Sequence, residues 1–215
     1  MNTVINSSQK EFQGIYGKYV ITPQDEKEVS LYRFSLLLSA IGFFIGLTQW
    51  ILLGSSLAWV WLIVMAIGLG GSLKWIHIYI SILHKSLQIL WIIGLIGIIV
   101  LMIYFGPQNF LHILSIKKIY TLAIGPFFAA LTGIGFKEFF CFRRSEAIGV
   151  TIMVPIALSG HITNVISSNI VILLLFISSI FLLILAIRKF GMAASDDIGD
   201  KSVFDYLEIK NSIIS

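Results

Sequence analysis

The sequence predicts an all-α fold, a polytopic membrane helical bundle with about six transmembrane helices. Three observations predict it. Hydrophobic residues make up 57% of the 215 and charged residues 12%, about half the ~25% charge of a soluble domain, which is too little to clothe a water-facing surface. The apolar residues fall in long unbroken blocks, not in the alternation of a membrane β-barrel. The blocks are close to the ~20 residues that cross ~30 Å of hydrocarbon as a helix, which satisfies its own backbone there.

Residues 1–33 read as a cytoplasmic N-terminal segment that ends in the start of an interfacial helix. Phe12 to Ile21 mixes aromatics with Gly14 and Gly17 and suits a strand or hairpin arm. Thr22 then fits an N-cap, Pro23 the first helical position, and Asp25 and Glu26 the positive helix end. This helix should run through Arg33 into the first span. The polar leader before Arg33 is not the layout of a cleavable signal peptide.

Residues 34–187 form the six-helix transmembrane domain. Its apolar blocks are Phe34–Leu53, Leu57–Leu73, Leu87–Phe105, Ile119–Gly135, Ala147–Ile166 and Ile170–Ile187. Gly54-Ser55-Ser56 is a tight joint, and helix two is expected to continue past Trp75 and His77 towards Ile80. Pro126 and Pro155 should kink spans four and five, because each removes a backbone donor. Gly42 and Gly46 make a GxxxG pair suited to close helix packing inside the bundle. Residues 188–215 read as a more polar, flexible or partner-dependent cytoplasmic tail.

Orientation follows from the basic residues. With six spans, thirteen of the fifteen Lys and Arg residues fall on the side of the two termini, and only Lys117 and Lys118 on the other. That places both termini in the cytoplasm of a multi-pass protein of a plasma or thylakoid membrane. The net charge of +4 is modest. It points to the lipid bilayer and other membrane proteins as partners, and not to nucleic acid. The single cysteine, Cys141, excludes an intrachain disulfide.

Two groups of residues can carry chemistry. The first lies between spans four and five, from Phe136 to Glu146, where phenylalanines alternate with charges. Such a segment suits an interface, with rings in the acyl boundary and charges in water. It can also assemble a site from Glu138, Cys141, Arg143, Arg144 and Glu146, the arginines favouring a thiolate at Cys141. The second group is at the far end of span five, where His161 and Asn164 bring polar groups to membrane depth. By depth their expected neighbours are Thr48 and Gln49 of span one and the Thr121–Pro126 turns of span four. His77 and His84 sit in the other loop on the side of the termini. No CxxC or HExxH spacing marks a metal site, and no motif names a cofactor. No GxSxG, P-loop or GxGxxG is present, so ordinary enzyme signatures are lacking.

Three stretches carry a resemblance. They are Tyr16-Gly17-Lys18-Tyr19 with Tyr32-Arg33 and Gly46-Leu47-Thr48-Gln49-Trp50; Trp75-Ile76-His77-Ile78-Tyr79; and Gly133 through Lys137-Glu138-Phe139-Phe140-Cys141-Phe142-Arg143-Arg144 to Pro155 and His161. Together they resemble an uncharacterised family of integral membrane proteins of cyanobacteria and related plastids, a domain of unknown function. The resemblance implies a bacterial or plastid membrane and brings no activity with it. Three functions then stand open: a non-enzymatic membrane assembly or organisation factor first, a small-solute transporter or channel second, and a pigment-, quinone- or metal-binding membrane protein third.

Overall fold

The computed structural model describes residues 11–78, 80–203 and 206. Lys10 and Lys210 of the orientation count, Tyr79 and tail residues 207–215 lie outside the described residues. Two short strands, β1 (Glu11–Gln13) and β2 (Lys18–Val20), are followed by α1 (Pro23–Leu53), α2 (Ala58–Trp75), α3 (Ser81–Phe105), α4 (Phe110–Ile116), a 3-10 turn (Lys118–Tyr120), α5 (Thr121–Phe142), α6 (Ser145–Ile162), α7 (Ser168–Lys189) and α8 (Ala194–Ile198). Six of the helical segments are long and apolar enough to cross a membrane.

The start of α1 is locally encoded. The Thr22 hydroxyl accepts from the Asp25 N–H at 3.2 Å, and the Asp25 carboxylate accepts from the Thr22 N–H at 2.7 Å. This reciprocal cap satisfies two otherwise orphaned donors. At 31 residues, α1 is about 46 Å long and outreaches the hydrocarbon. Its first turns therefore stand beyond the apolar layer and carry Tyr32 and Arg33 to its edge. The helix ends at Gly54, whose φ of 86° is open to glycine at little steric cost.

The spanning helices close into a ring in the order α1, α2, α3, α5, α6, α7, with α7 returning to α1. Small residues set the closest approaches. A Cβ at Gly42 would lie 2.6 Å from the Met65 backbone nitrogen, so the Gly42/Gly46 pair packs α1 onto α2 inside the bundle. The α2–α3 seam is the thinnest in the ring, and side chains of α3 reach across it to α2 carbonyls. The Trp91 indole donates to Ala66 O at 3.1 Å, and the Gln88 amide to Leu73 O at 3.1 Å. The His84 Nε2 lies 2.6 Å from the same Leu73 oxygen. The Gln88 and His84 contacts lie at the carbonyl end of α2, and the Trp91 bond at its middle. The helix stops at Trp75, and Ile76 is extended (φ −71°, ψ 133°), short of the expected continuation towards Ile80.

The outer surface of the ring is apolar. Leu53, Ile82 and Ile103 are among its most exposed side chains, as the lipid-facing wall of a bundle requires. The end opposite the termini is covered by α4, whose Phe110, Leu111 and Leu114 are buried. The end carrying the termini is covered by the hairpin and the C-terminal segment. The Ile15 N–H donates to Asp200 Oδ2 at 2.7 Å, the Tyr16 N–H to Ser202 Oγ at 3.1 Å, and the Tyr16 and Tyr206 rings stack at 4.1 Å. Lys201 pairs with Asp25 at 2.8 Å. The described part of the tail is thus docked on the N-terminal arm.

Helix α3 packs on α5 through Gly94, where a Cβ would run into the Phe127 backbone. Gly125 has no heavy atom within 4 Å of such a Cβ. Gly94→Ala should therefore lower the melting temperature in detergent by roughly 2–12 °C, the effect of an overpacked contact. Gly125→Ala should leave it unchanged or raise it slightly. Equal melting curves for the two variants would mean that α3 and α5 do not touch at this point.

Candidate functional site

Charged side chains converge at the termini end of the ring, from four helices. Glu138 of α5 is fully buried. Its Oε1 accepts from the Tyr32 hydroxyl of α1 at 2.7 Å and from Lys137 Nζ at 3.2 Å. Its Oε2 faces Lys189 Nζ of α7 at 2.7 Å, a charge contact and not an aligned hydrogen bond. Lys189 also pairs with Asp197 of α8. Asp197 Oδ2 in turn accepts from Arg33 Nε at 2.7 Å, and Arg33 Nη2 reaches Ala193 O at 3.0 Å. Aromatic faces complete the shell: Lys189 Nζ is 4.0 Å and Lys137 Nζ 4.9 Å from the Phe142 ring centre. Burying an ion costs several kcal/mol, which only close pairing and full hydrogen bonding offset. Here each carboxylate meets two cations, and the rings accept the lysines face-on.

This arrangement corrects the reading of the segment from Phe136 to Glu146. Most of it is helix and not loop, because α5 runs on to Phe142. Helical periodicity splits its residues: Phe136 and Phe140 face outward, while Lys137 and Glu138 turn into the bundle. Cys141, on the next turn, is an exposed free thiol. Arg143 ends the helix in the left-handed region (φ 50°), and Arg144 is extended and precedes α6. Glu146, in the first turn of α6, is buried and accepts from Ser145 Oγ at 3.1 Å and from Arg188. In the sequence Arg33, Lys137 and Lys189 enter as orientation charges, Tyr32, Arg33 and Lys137 as part of the resemblance, and Asp197 not at all. Their convergence is not legible there, because no spacing rule connects them. His77 makes no bond to this group, although the Lys137 charge acts on it, and lies 3.6 Å from Glu28. Burial pushes its pKa below the ordinary range, with the Glu28 charge opposing.

The opposite half of the ring encloses a second feature. A cavity of about 110 Å³ lies beneath α4. Its walls are apolar side chains from α1, α2, α4, α5, α6 and α7, including Phe43, Met65, Leu111, Phe128, Leu158 and Leu175. His161 and Thr121 also line it, 6% and 1% exposed. The His161 Nε2 is 3.1 Å from Leu114 O of α4. A carbonyl oxygen only accepts, so Nε2 carries the proton of this bond. The His161 Nδ1 and the Thr121 hydroxyl oxygen are buried without a hydrogen-bond partner among the described residues. Thr48 and Gln49 are engaged elsewhere, with Phe44 O at 2.8 Å and the Trp61 indole at 2.7 Å. Of the expected neighbours, Thr121 shares the cavity with His161. Asn164, three residues on, adopts a left-handed turn (φ 62°) and accepts from Lys118.

Removing Glu138 strands Lys137 in the interior and leaves Lys189 with Asp197 alone. Glu138→Ala should cost about 3–5 kcal/mol, as for one lost partner of a buried pair. Arg188→Ala, at a pair whose arginine is half exposed but whose Glu146 is buried, should cost less, about 1–3 kcal/mol. Unfolding in detergent micelles by a graded denaturing surfactant measures both, and a Glu138→Ala protein as stable as wild type would show that the cluster does not hold the bundle.

Comparison with known proteins agrees with the architecture. An uncharacterized protein of Haemophilus influenzae is 36% identical over 85 residues, which cover 39% of this chain and 48% of that protein. The match therefore spans about half the relative's length. Haemophilus is not a cyanobacterium, so the cyanobacterial and plastid setting implied by the resemblance is not carried by this relative. No solved structure matches the chain. The model of the family described as "Uncharacterized integral membrane protein (DUF2301)" matches residues 71–206, which takes in α3 to α8, the termini-end charges from Lys137 to Asp197 and the His161 wall of the cavity. The chain belongs to this family of integral membrane proteins.

Proposed function

We propose that this multi-pass membrane protein is a binding protein for a small apolar molecule, held between the helices in the half of the bundle covered by α4. Of the three functions open from the sequence, the cavity supports binding of a membrane-soluble compound better than assembly or polar-solute transport. The observation that carries the reading is the cavity itself. It is walled almost entirely by apolar side chains from six helices and is roofed by α4. Lipid-facing bundles pack at the density of other protein interiors, so a gap of this size between the helices is a feature to be explained. An apolar cavity of roughly 150 Å³ stays dry and admits a benzene-sized molecule, and the volume here is of that order. A polar solute would forfeit its hydrogen bonds against such walls. With both termini cytoplasmic, as the Lys and Arg asymmetry supports, the site lies in the outer half of the membrane.

Trp50 lines the cavity and reports on it. In nanodiscs, bromobenzene, a ring-sized heavy-atom quencher, should quench part of the fluorescence saturably. Trp50→Phe should lose that saturable part, and Leu158→Phe, which extends a wall into the space, should weaken it about tenfold. Quenching that rises linearly with bromobenzene, as bilayer partition alone would give, in all three proteins would end the proposal.

A further inference from the structure

Away from the apolar cavity, the termini end of the ring carries a second concave site. It opens between the end of α5, the start of α6 and the end of α7, with a volume of about 280 Å³. A single water needs only ~10–15 Å³. Three guanidinium groups line it, those of Arg143, Arg144 and Arg188, together with one carboxylate, Glu146. Arg188 pairs with that carboxylate, and the Ser145 hydroxyl donates to it at 3.1 Å, so its charge is already answered. The side chains of Arg143 and Arg144 make no hydrogen bond or ion pair among the described residues. The site therefore keeps a surplus of positive charge that the protein itself does not use. Arg143 also stands where the backbone favours another residue. Its φ of 50° and ψ of 37° are left-handed, the conformation in which helices usually end on glycine or asparagine. A long cation kept there at a conformational cost is an outlier with a functional reading.

We infer that this site binds the phosphate of an anionic phospholipid headgroup. Arginine forks match phosphate oxygens in pairs, and basic pockets between membrane helices hold lipid headgroups. The level of the site names the source of the phosphate. Phe142 ends one candidate span, Ser145 begins the next, and Lys189, beside Arg188, ends the third. The arginines thus stand where hydrocarbon gives way to headgroups. Each of the three helices also presents an exposed apolar side chain within a turn of the site: Phe140, Ile148 and Ile187. Acyl chains run along these while the phosphate enters among the arginines. A soluble phosphate would leave that apolar surround unused.

Native mass spectrometry of the intact protein, released from non-ionic detergent, measures one-to-one adducts with dioleoyl phosphatidylglycerol and dioleoyl phosphatidylcholine. The two lipids share their acyl chains and differ in net headgroup charge. Phosphatidylglycerol should bind about tenfold tighter, and the double variant Arg143→Gln with Arg144→Gln should remove that preference. Lys74→Gln with Lys85→Gln removes the same charge from exposed lysines at the same end of the ring and should keep it. Arg143→Gly suits the left-handed turn, so without lipid it should melt no lower than the wild type, yet it should still bind phosphatidylglycerol severalfold more weakly. That variant separates lost binding from lost folding. Equal loss in the two double variants would overturn the site and reduce it to general surface charge. Equal binding of the two lipids to the wild type would overturn it as well. Displacement of phosphatidylglycerol by inorganic phosphate at matched concentration would overturn the lipid assignment and give the arginines to a soluble phosphate.

Discussion

Glu138 organises the bundle because it has no solvent to fall back on. Its carboxylate touches groups from α1, α5 and α7, and through Lys189 it reaches α8. Among the described residues the cluster combines three cations, Arg33, Lys137 and Lys189, with two carboxylates. The balance is met by aromatic faces: Lys137 and Lys189 each lie within reach of the Tyr32 and Phe142 rings. In lipid, apolar side chains gain little from leaving one another's company for a neighbouring helix, since the tails are equally apolar. Specific polar contacts and close backbone approach then decide which helices meet. The charges fix the ring at one end, and glycine contacts such as Gly42 on Met65 and Gly94 on Phe127 fix its walls.

Much of the fold was legible in the sequence for a simple reason. The requirement to cross a hydrocarbon layer acts on consecutive residues, so six apolar blocks and the Thr22-Pro23-Asp25 start could be read in order. The cluster was not legible, because its members are brought together by tertiary packing. Tyr32 and Glu138 are 106 residues apart, and nothing in the spacing of Lys189 and Asp197 announces a shared partner. The Phe136–Glu146 segment misled because alternating rings and charges look interfacial until helical rotation sends them to opposite sides. The short helix α4 was also missed, since seven residues are too few to stand out between two long apolar blocks.

The two ends of the ring obey opposite physics. At the termini end the charges of the cluster are packed against counter-charges and rings. Beneath α4 the walls are apolar, the volume is open, and the polar atoms present are underused. His161 belongs to both descriptions: one ring nitrogen pins α6 to α4 through Leu114, and the residue also lines the cavity. The same side chain thereby holds the roof in place and supplies the polar feature beneath it. That dual engagement explains why depth alone, without the position of α4, could not identify its partner.

The bond from Arg33 to Asp197 joins residues 164 positions apart, and it has a consequence for how the protein is made. Arg33 enters the membrane on the first helix, whereas Asp197 is synthesised only after the last spanning helix. At ~5–20 residues per second, the wait is roughly 10–30 s. During that time Arg33 stands in the nascent chain without Asp197, while Glu138, once made, already has Tyr32 and Lys137 and waits only for Lys189. The helices of the ring are all synthesised before the charge cluster is complete. A chain that stops before Asp197 holds every spanning helix and leaves Arg33 without its carboxylate.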